Sequence, residues 1–196
     1  MLKRLSMALL CFYLAGCSVQ HTSVQPAGAQ ISWQEHQRQL QQLTRWDLSG
    51  KIALRTAEDN HTASLSWIQL DQDYQIDIRG PWGQGGASIT GSPRQVSVDI
   101  AGEGTFVGSD PESILQQQLG WDLPVSDIYW WVRGLPAPGT AYRETLQNNR
   151  LSLLQQNGWE IEYLRYNSLT PALPKKIRMT RQGLKITLLV STWIRR

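Results

Sequence analysis

The sequence predicts a mainly β fold with some α, an α+β domain built on a strongly curved antiparallel sheet or open barrel with helices over its mouth. Three observations predict it. Apolar and polar residues alternate through segment after segment. Several of the links between these segments are so short that the strands they join must be antiparallel neighbours. Helix-period segments stand once before the series and twice in its middle, where they are placed to cover one end of the sheet.

The first sixteen residues are a separate matter. Lys3 and Arg4 precede an apolar run, residues 5–13, too short to span a bilayer, and Leu14, Ala15 and Gly16 then lead into Cys17. This order is a bacterial lipobox, so residues 1–16 are expected to be a cleaved lipoprotein signal and Cys17 the acylated first residue of the mature chain. The alternative is a plain signal peptide that happens to end near a cysteine. Residues 17–31, rich in Gln, Ser, Thr, Ala, Pro and Gly, read as a flexible lipidated tether, and residues 32–196 as one domain. Position 18 is serine, and in enterobacterial-type lipoproteins, which this segment resembles, a residue other than aspartate there usually permits export to the outer membrane. Cys11 leaves with the signal, so the exported domain has no thiol to pair and stands without disulfides. Lys3 and Arg4 supply two of the formal charges that make the whole chain +3, and the near-neutral remainder gives no reason to expect nucleic acid as a partner. No other run approaches the roughly eighteen apolar residues of a membrane helix, so the body of the protein is expected to be soluble.

Residues 33–44 place Trp33, His36, Leu40 and Leu43 near one helical stripe, with Ser32 and Glu35 in capping-box positions. The period then changes to two. Trp46, Leu48, Ile52 and Leu54 share one face of a first strand, Ala63, Leu65 and Trp67 that of a second, and Tyr74, Ile76 and Ile78 that of a third. Further strands are expected at 87–90, 95–101, 150–155, 158–164, 176–181 and 184–193. Asp110 and Pro111 open a helix through residue 119, and residues 126–133 form another, ended by Gly134, Leu135 and Pro136.

Candidates for catalysis are few. His21, His36 and His61 have no partner at metal-ligand or triad spacing, and the glycine-rich stretch 85–91 has neither the lysine of a phosphate loop nor the spacing of a nucleophile elbow. No catalytic residue, metal site or cofactor is expected. The carboxylates at Asp71, Asp73, Asp77 and Asp99 suit solvated strand faces, although a glycosidase-type pair could meet only in the fold.

Nine tryptophans are more informative. A large ring on a curved sheet either fills a core or lines an apolar cavity. A single-layer sheet with short helices has too few side chains to fill a barrel, and this favours a cavity. Its expected lining is Trp46, Leu48, Ile52 and Leu54, then Leu65 and Trp67, then Ile76 and Ile78, with Trp130, Trp159, Ile161 and Met179 from later elements. Trp82 stands apart, between Pro81 and Gly83 in a stretch that favours a turn, where an exposed indole suits a water–lipid interface unless it folds back on the sheet.

Taken in order, the lipobox, the helix, the strand meander, Gly80 to Gly83 with Pro81 and Trp82 between, Trp131 to Pro136 around Val132, Arg133, Gly134 and Leu135, then Gly158 and Trp159, Leu173 and Pro174, and the closing Thr192, Trp193 and Ile194 resemble the LolB family. The resemblance spans nearly the whole mature chain. It implies a LolA/LolB-like unclosed barrel with a helical lid and an apolar cavity, in a monomer lipid-anchored at the periplasmic face of the outer membrane. It implies that such a receptor takes lipoprotein acyl chains from a LolA-like periplasmic carrier and inserts them into outer-membrane lipid, with no enzymatic step. It also implies that an exposed apolar residue on a protruding loop promotes insertion, a position held here by Trp82, where the best-known members have leucine. Two other readings stay open: a lipoprotein binding a free lipid or glycolipid in a similar cavity, and a cell-wall hydrolase using scattered carboxylates.

Overall fold

The computed structural model describes residues 31–81, 85–120 and 122–196, with only the backbone of Leu119. The signal, Cys17, the tether up to residue 30, the loop residues Trp82 and Gly83, and Trp121 lie outside the described residues.

Eleven strands form one antiparallel sheet. In chain order the elements are α1 Trp33–Gln41, β1 Arg45–Arg55, β2 Asn60–Leu70, β3 Asp73–Arg79, β4 Gly86–Ser92, β5 Gln95–Ile100, β6 Gly104–Gly108, α2 Pro111–Leu119, α3 Val125–Trp131, β7 Tyr142–Gln147, β8 Arg150–Gln156, β9 Trp159–Tyr166, β10 Pro174–Arg181 and β11 Leu184–Arg195. Across the sheet they run β6-β5-β4-β3-β2-β1-β11-β10-β9-β8-β7. The first and last strands therefore meet in the centre, and β6 and β7 remain as unjoined edges of an unclosed barrel. The central pairing of β1 with β11 slips by one residue between Ser49 and Gly50. Gly50 is required there, because a Cβ would stand 2.2 Å from the Leu189 carbonyl oxygen.

The expected strands are present, and so are the expected caps: Ser32 Oγ accepts from the Glu35 amide at 3.2 Å and Asp110 Oδ1 from the Ser113 amide at 2.7 Å. The third helix begins and ends earlier than its sequence suggested, spanning Val125–Trp131, and Gly134 follows with a φ of +82°. Two strands, β6 and β7, were not expected. They are the two edges, and β7 is exposed along its whole length, so neither offers the buried face that produces a period-two signal.

The concave face holds the core. Leu48, Leu65, Trp67, Ile76, Ile89 and Val98 project into it from successive strands, with Ile161, Ile177, Ile186 and Leu188 from the other half of the sheet. Trp46, fully buried, packs at 5.2 Å from Trp67 and 5.2 Å from Trp193, and stacks at 6.3 Å on Tyr129 of α3.

Helix α1 and the residues leading into it are tied to β7 and the β7–β8 turn. The Trp33 indole donates to Glu144 Oε1 at 3.0 Å, and the Asn149 amide nitrogen donates to the Ile31 carbonyl at 3.1 Å. His36, on the same helix, is 2 % exposed and stacks on Trp33 at 6.0 Å. Burial, with the nearby charge of Arg150 second, pushes its pKa from 6.5 down to about 4. The folded state thus holds this ring neutral, and the unfolded chain takes up the proton first. The stabilisation is complete above pH 6.5 and is lost as pH falls from 6.5 towards 4, about 2–3 kcal/mol in all. Urea unfolding at pH 7 and pH 4.5 is expected to show this loss in the native chain and a shallower pH dependence in His36→Phe. Equal slopes for both would contradict a buried neutral histidine.

Candidate functional site

The concave face of the sheet and the undersides of α2 and α3 enclose a cavity of about 70 Å³. Period-two strands aim every second side chain at it: Ile52 from β1, Leu65 and Trp67 from β2, Ile76 and Ile78 from β3, Ala87 and Ile89 from β4, Met179 from β10, and Ile186 and Leu188 from β11. The roof is Leu115 of α2, with Leu123, Val125, Ile128 and Val132 of α3 and its flanks. Every lining side chain among the described residues is apolar. The space admits several water-sized spheres at roughly 10–15 Å³ each, but water needs two or more polar partners and this wall offers none, so the cavity is dry.

Of the twelve residues the sequence put forward as lining, Ile52, Leu65, Trp67, Ile76, Ile78 and Met179 stand in this wall. The other six lie outside it. Trp46 and Leu48 are fully buried in the core, Trp46 in a ring cluster with Trp67, Trp193 and Tyr129 of α3. Trp159 and Ile161 are core on the β8–β9 side, with Trp159 at 6.2 Å from Trp131. Leu54 is half-buried at the far end of β1, and Trp130 lines a separate surface groove. The wall residues that sequence reasoning missed follow the same rules: Ala87/Ile89 and Ile186/Leu188 are period-two pairs, and Leu115, Val125, Ile128 and Val132 lie on the apolar faces of two short helices. Their assignment depends on knowing which face of each element turns inward, and that is a property of the closed fold.

The roof is fastened at one end. Past the last turn of α3, the Trp131 indole donates to Gln156 Oε1 at 2.9 Å, and the Tyr163 hydroxyl donates to the Trp131 carbonyl at 3.1 Å. Arg133, fully buried, donates to the carbonyls of Leu40 at 3.2 Å, Leu43 at 2.9 Å and Tyr129 at 3.2 Å, joining α3 to the C-terminus of α1. Burial draws its pKa down to about 10, so it stays charged at neutral pH, and the rings of Tyr129 and Trp130 lie 4.0 and 4.8 Å from the guanidinium carbon. At its other end the N-cap residue of α3, Pro124, offers no side-chain cap. There the Ser126 amide donates to Glu112 Oε1 of α2 at 2.7 Å and the Asn157 amide nitrogen donates to Asp127 Oδ2 at 2.7 Å, both exposed, while the surface ion pair of Asp122 with Arg181 is of the kind that contributes little.

The glycine-rich loop springs from β3 and β4. Its base closes through the Gly80 amide and Gly85 carbonyl at 3.5 Å, and Pro81 is exposed. Gly86 has a φ of +141°, and a Cβ there would meet the Ile78 carbonyl oxygen at 2.3 Å, so only glycine closes this base. Trp82 and Gly83, the remaining expected residues of the loop, lie outside the described residues, as does Cys17.

Comparison with known proteins agrees with this architecture. Residues 44–193 match a family described as outer membrane lipoprotein LolB. A protein of Stutzerimonas stutzeri named outer-membrane lipoprotein LolB is 40% identical over 197 residues, covering 98% of this chain and 96% of its own length. Proteins of the same name from Pseudomonas paraeruginosa and Pseudomonas aeruginosa are 41% and 40% identical, each over 184 residues, 92% of this chain and 90% of their own. Among solved structures, a DUF1329 family protein of Desulfovibrio piger superposes with a TM-score of 0.56 at 9% identity, and a putative outer membrane lipoprotein-sorting protein domain of Vibrio parahaemolyticus with 0.51 at 8%. Each covers 83% of this chain and 91% of the other, and at that identity the likeness is one of fold.

Proposed function

Because this chain belongs to the LolB family of outer-membrane lipoproteins, we propose that it is the receptor that accepts lipoproteins from a LolA-like periplasmic carrier by burying their acyl chains, and then inserts them into the outer membrane. The observation that carries this reading is the all-apolar cavity between sheet and helices. It offers nothing to a polar substrate and no acid, base or nucleophile to a reaction. What it offers is a place where methylenes escape water, at about 0.8 kcal/mol for each one buried.

At about 70 Å³ the cavity falls well below the roughly 300–1,000 Å³ of ordinary ligand sites, so an acyl chain does not fit unless it widens. Loading requires the roof to lift. In this reading α3 stays pinned at Trp131 and Arg133 while its first turn and α2 swing outward, the exposed contacts Asp122–Arg181, Ser126–Glu112 and Asp127–Asn157 giving way. Directed transfer without nucleotide hydrolysis then needs only a receptor that binds more tightly than the carrier, and a tenfold preference corresponds to about 1.4 kcal/mol. In this reading the tether, residues 17–31, holds the domain to the membrane through acyl chains on Cys17.

Ile89→Trp tests the cavity directly. A ring projecting from β4 fills the space the cargo needs, at an overpacking cost of about 1–3 kcal/mol that the existing void reduces. The variant is expected to fold and to accept a lipoprotein from its loaded carrier at least about tenfold less well. Acceptance at the native level would remove the cavity from the mechanism.

A further inference from the structure

A second concavity adjoins the first. A groove of about 540 Å³ runs between α3 and the turn linking β2 to β3, and two residues, Trp67 and Val125, line both it and the closed cavity. They form the partition between an open space and a dry one.

The two sides of the groove differ in chemistry. On the helix side are Tyr129 and Trp130, whose rings are held in place by the buried guanidinium of Arg133 beneath them. On the strand side are the polar groups of Thr44, Gln72 and Tyr74, the Asp71 carboxylate paired with Arg45, and buried Gln69, and exposed Ser126 stands at the rim. The partition also has a fixed and a loose half. The Trp67 indole donates to Gln69 Oε1 at 3.0 Å, and the Gln69 amide nitrogen donates in turn to the Asp71 carbonyl at 2.9 Å, which locks the ring to the turn. Val125 instead begins α3, where Pro124 offers no side-chain cap and the first turn is held through the exposed bonds of Ser126 with Glu112 and Asp127 with Asn157.

The geometry points to this groove as the entry subsite for the lipidated cysteine of the cargo: its ester and amide groups rest between Gln72 and Ser126 while its acyl chains pass between Trp67 and a displaced Val125 into the cavity. This rests on the receptor reading above. An amphiphile with a polar junction and apolar tails is the occupant that uses both spaces at once. A peptide alone would leave the cavity empty, and a free hydrocarbon would leave the polar side of the groove unused. The groove's volume lies within the range of about 300–1,000 Å³ in which small-molecule groups are held, and the cavity's does not.

The test uses the full-length chain in phosphatidylethanolamine–phosphatidylglycerol vesicles, supplied with purified carrier loaded with a tripalmitoylated cysteinyl peptide. Ser126→Trp and Gln72→Trp fill the groove from opposite sides at exposed positions that leave the cavity wall untouched, and Ser64→Trp places the same ring at an exposed position on β2 outside both spaces. Both groove variants are expected to slow transfer by at least about tenfold with unfolding midpoints unchanged, and Ser64→Trp to transfer as the native chain does. Native rates in both groove variants would overturn the entry subsite. If Ile89→Trp still blocked transfer, the cavity reading would survive that result, and if Ile89→Trp also transferred normally, both readings would fall together.

Discussion

A chain with Glu in place of Trp82 is expected to take cargo from the carrier at the native rate and to deliver it to liposomes roughly thirtyfold more slowly. The argument begins with the sequence, where Pro81 and Gly83 flank the indole in a turn-forming stretch. Full burial of a tryptophan removes about 150–250 Å² from water, worth about 4–6 kcal/mol at 25 cal/mol per Å². Immersion of less than half the ring at the headgroup level leaves about 2 kcal/mol, which is the thirtyfold quoted. A carboxylate forfeits this gain and resists leaving water. Trp82→Leu keeps most of the apolar contact and is expected to deliver nearly as well. The loop base adjoins the cavity wall at Ile78 and Ala87, but the substitution replaces none of the wall residues described above, so acceptance should not change. Native delivery by Trp82→Glu would leave the loop without a role.

Reach is compatible with this role. Ile31 is held at the β7–β8 turn by Asn149, and because adjacent strands are antiparallel this is the end of the sheet opposite the β3–β4 loop. The eleven residues of β1 give the sheet a height of about 36 Å. The segment from Cys17 to Ile31 extends to at most about 50 Å, enough for an anchored domain to turn its loop towards the same membrane.

Much of this molecule can be read from its sequence, and the parts that cannot have a common cause. Strand faces such as Leu48, Ile52 and Leu54 or Leu65 and Trp67 announce themselves because burial on one side leaves a period of two. The edges β6 and β7 bury too little to leave that trace. Rings were harder to place than strands. Trp67 walls the cavity whereas Trp46 and Trp159 fill core, and no local feature of the chain separates these cases, because the difference lies in what α3 and β11 bring against each ring. The polar fastenings are less legible still. Arg133 binds carbonyls of Leu40 and Leu43, far away in sequence, and in the chain it is one arginine among several near tryptophans.

Gln156 is the other such residue, and its replacement by leucine is expected to be the most destabilising single change. It is 2 % exposed on β8, and its side chain makes four hydrogen bonds. Oε1 accepts from the Trp131 indole at 2.9 Å and from the Ala137 amide at 2.9 Å, while Nε2 donates to the Ala137 carbonyl at 2.7 Å and to Thr140 Oγ1 at 3.0 Å. Leucine matches the volume but strands the first three of these partners in a buried site. At about 1–3 kcal/mol for each buried group left unpaired, the loss is about 4–6 kcal/mol, a large part of the roughly 5–15 kcal/mol that holds a domain folded. For a domain of this size that corresponds to a fall in melting temperature of about 10–20 °C. Gln155→Leu provides the contrast: the neighbouring side chain is exposed and bonds only Glu160 at 3.1 Å, so its loss should cost no more than about 0.5 kcal/mol. The functional consequence follows from which partners Gln156 holds. Trp131 and Ala137 mark the point where the roof rejoins the sheet, so Gln156→Leu frees the pinned end of α3 as well as the swinging one. Cargo binding should therefore weaken even at temperatures where the variant is folded. A melting temperature within a few degrees of the native chain would show that this network is not what fastens the roof.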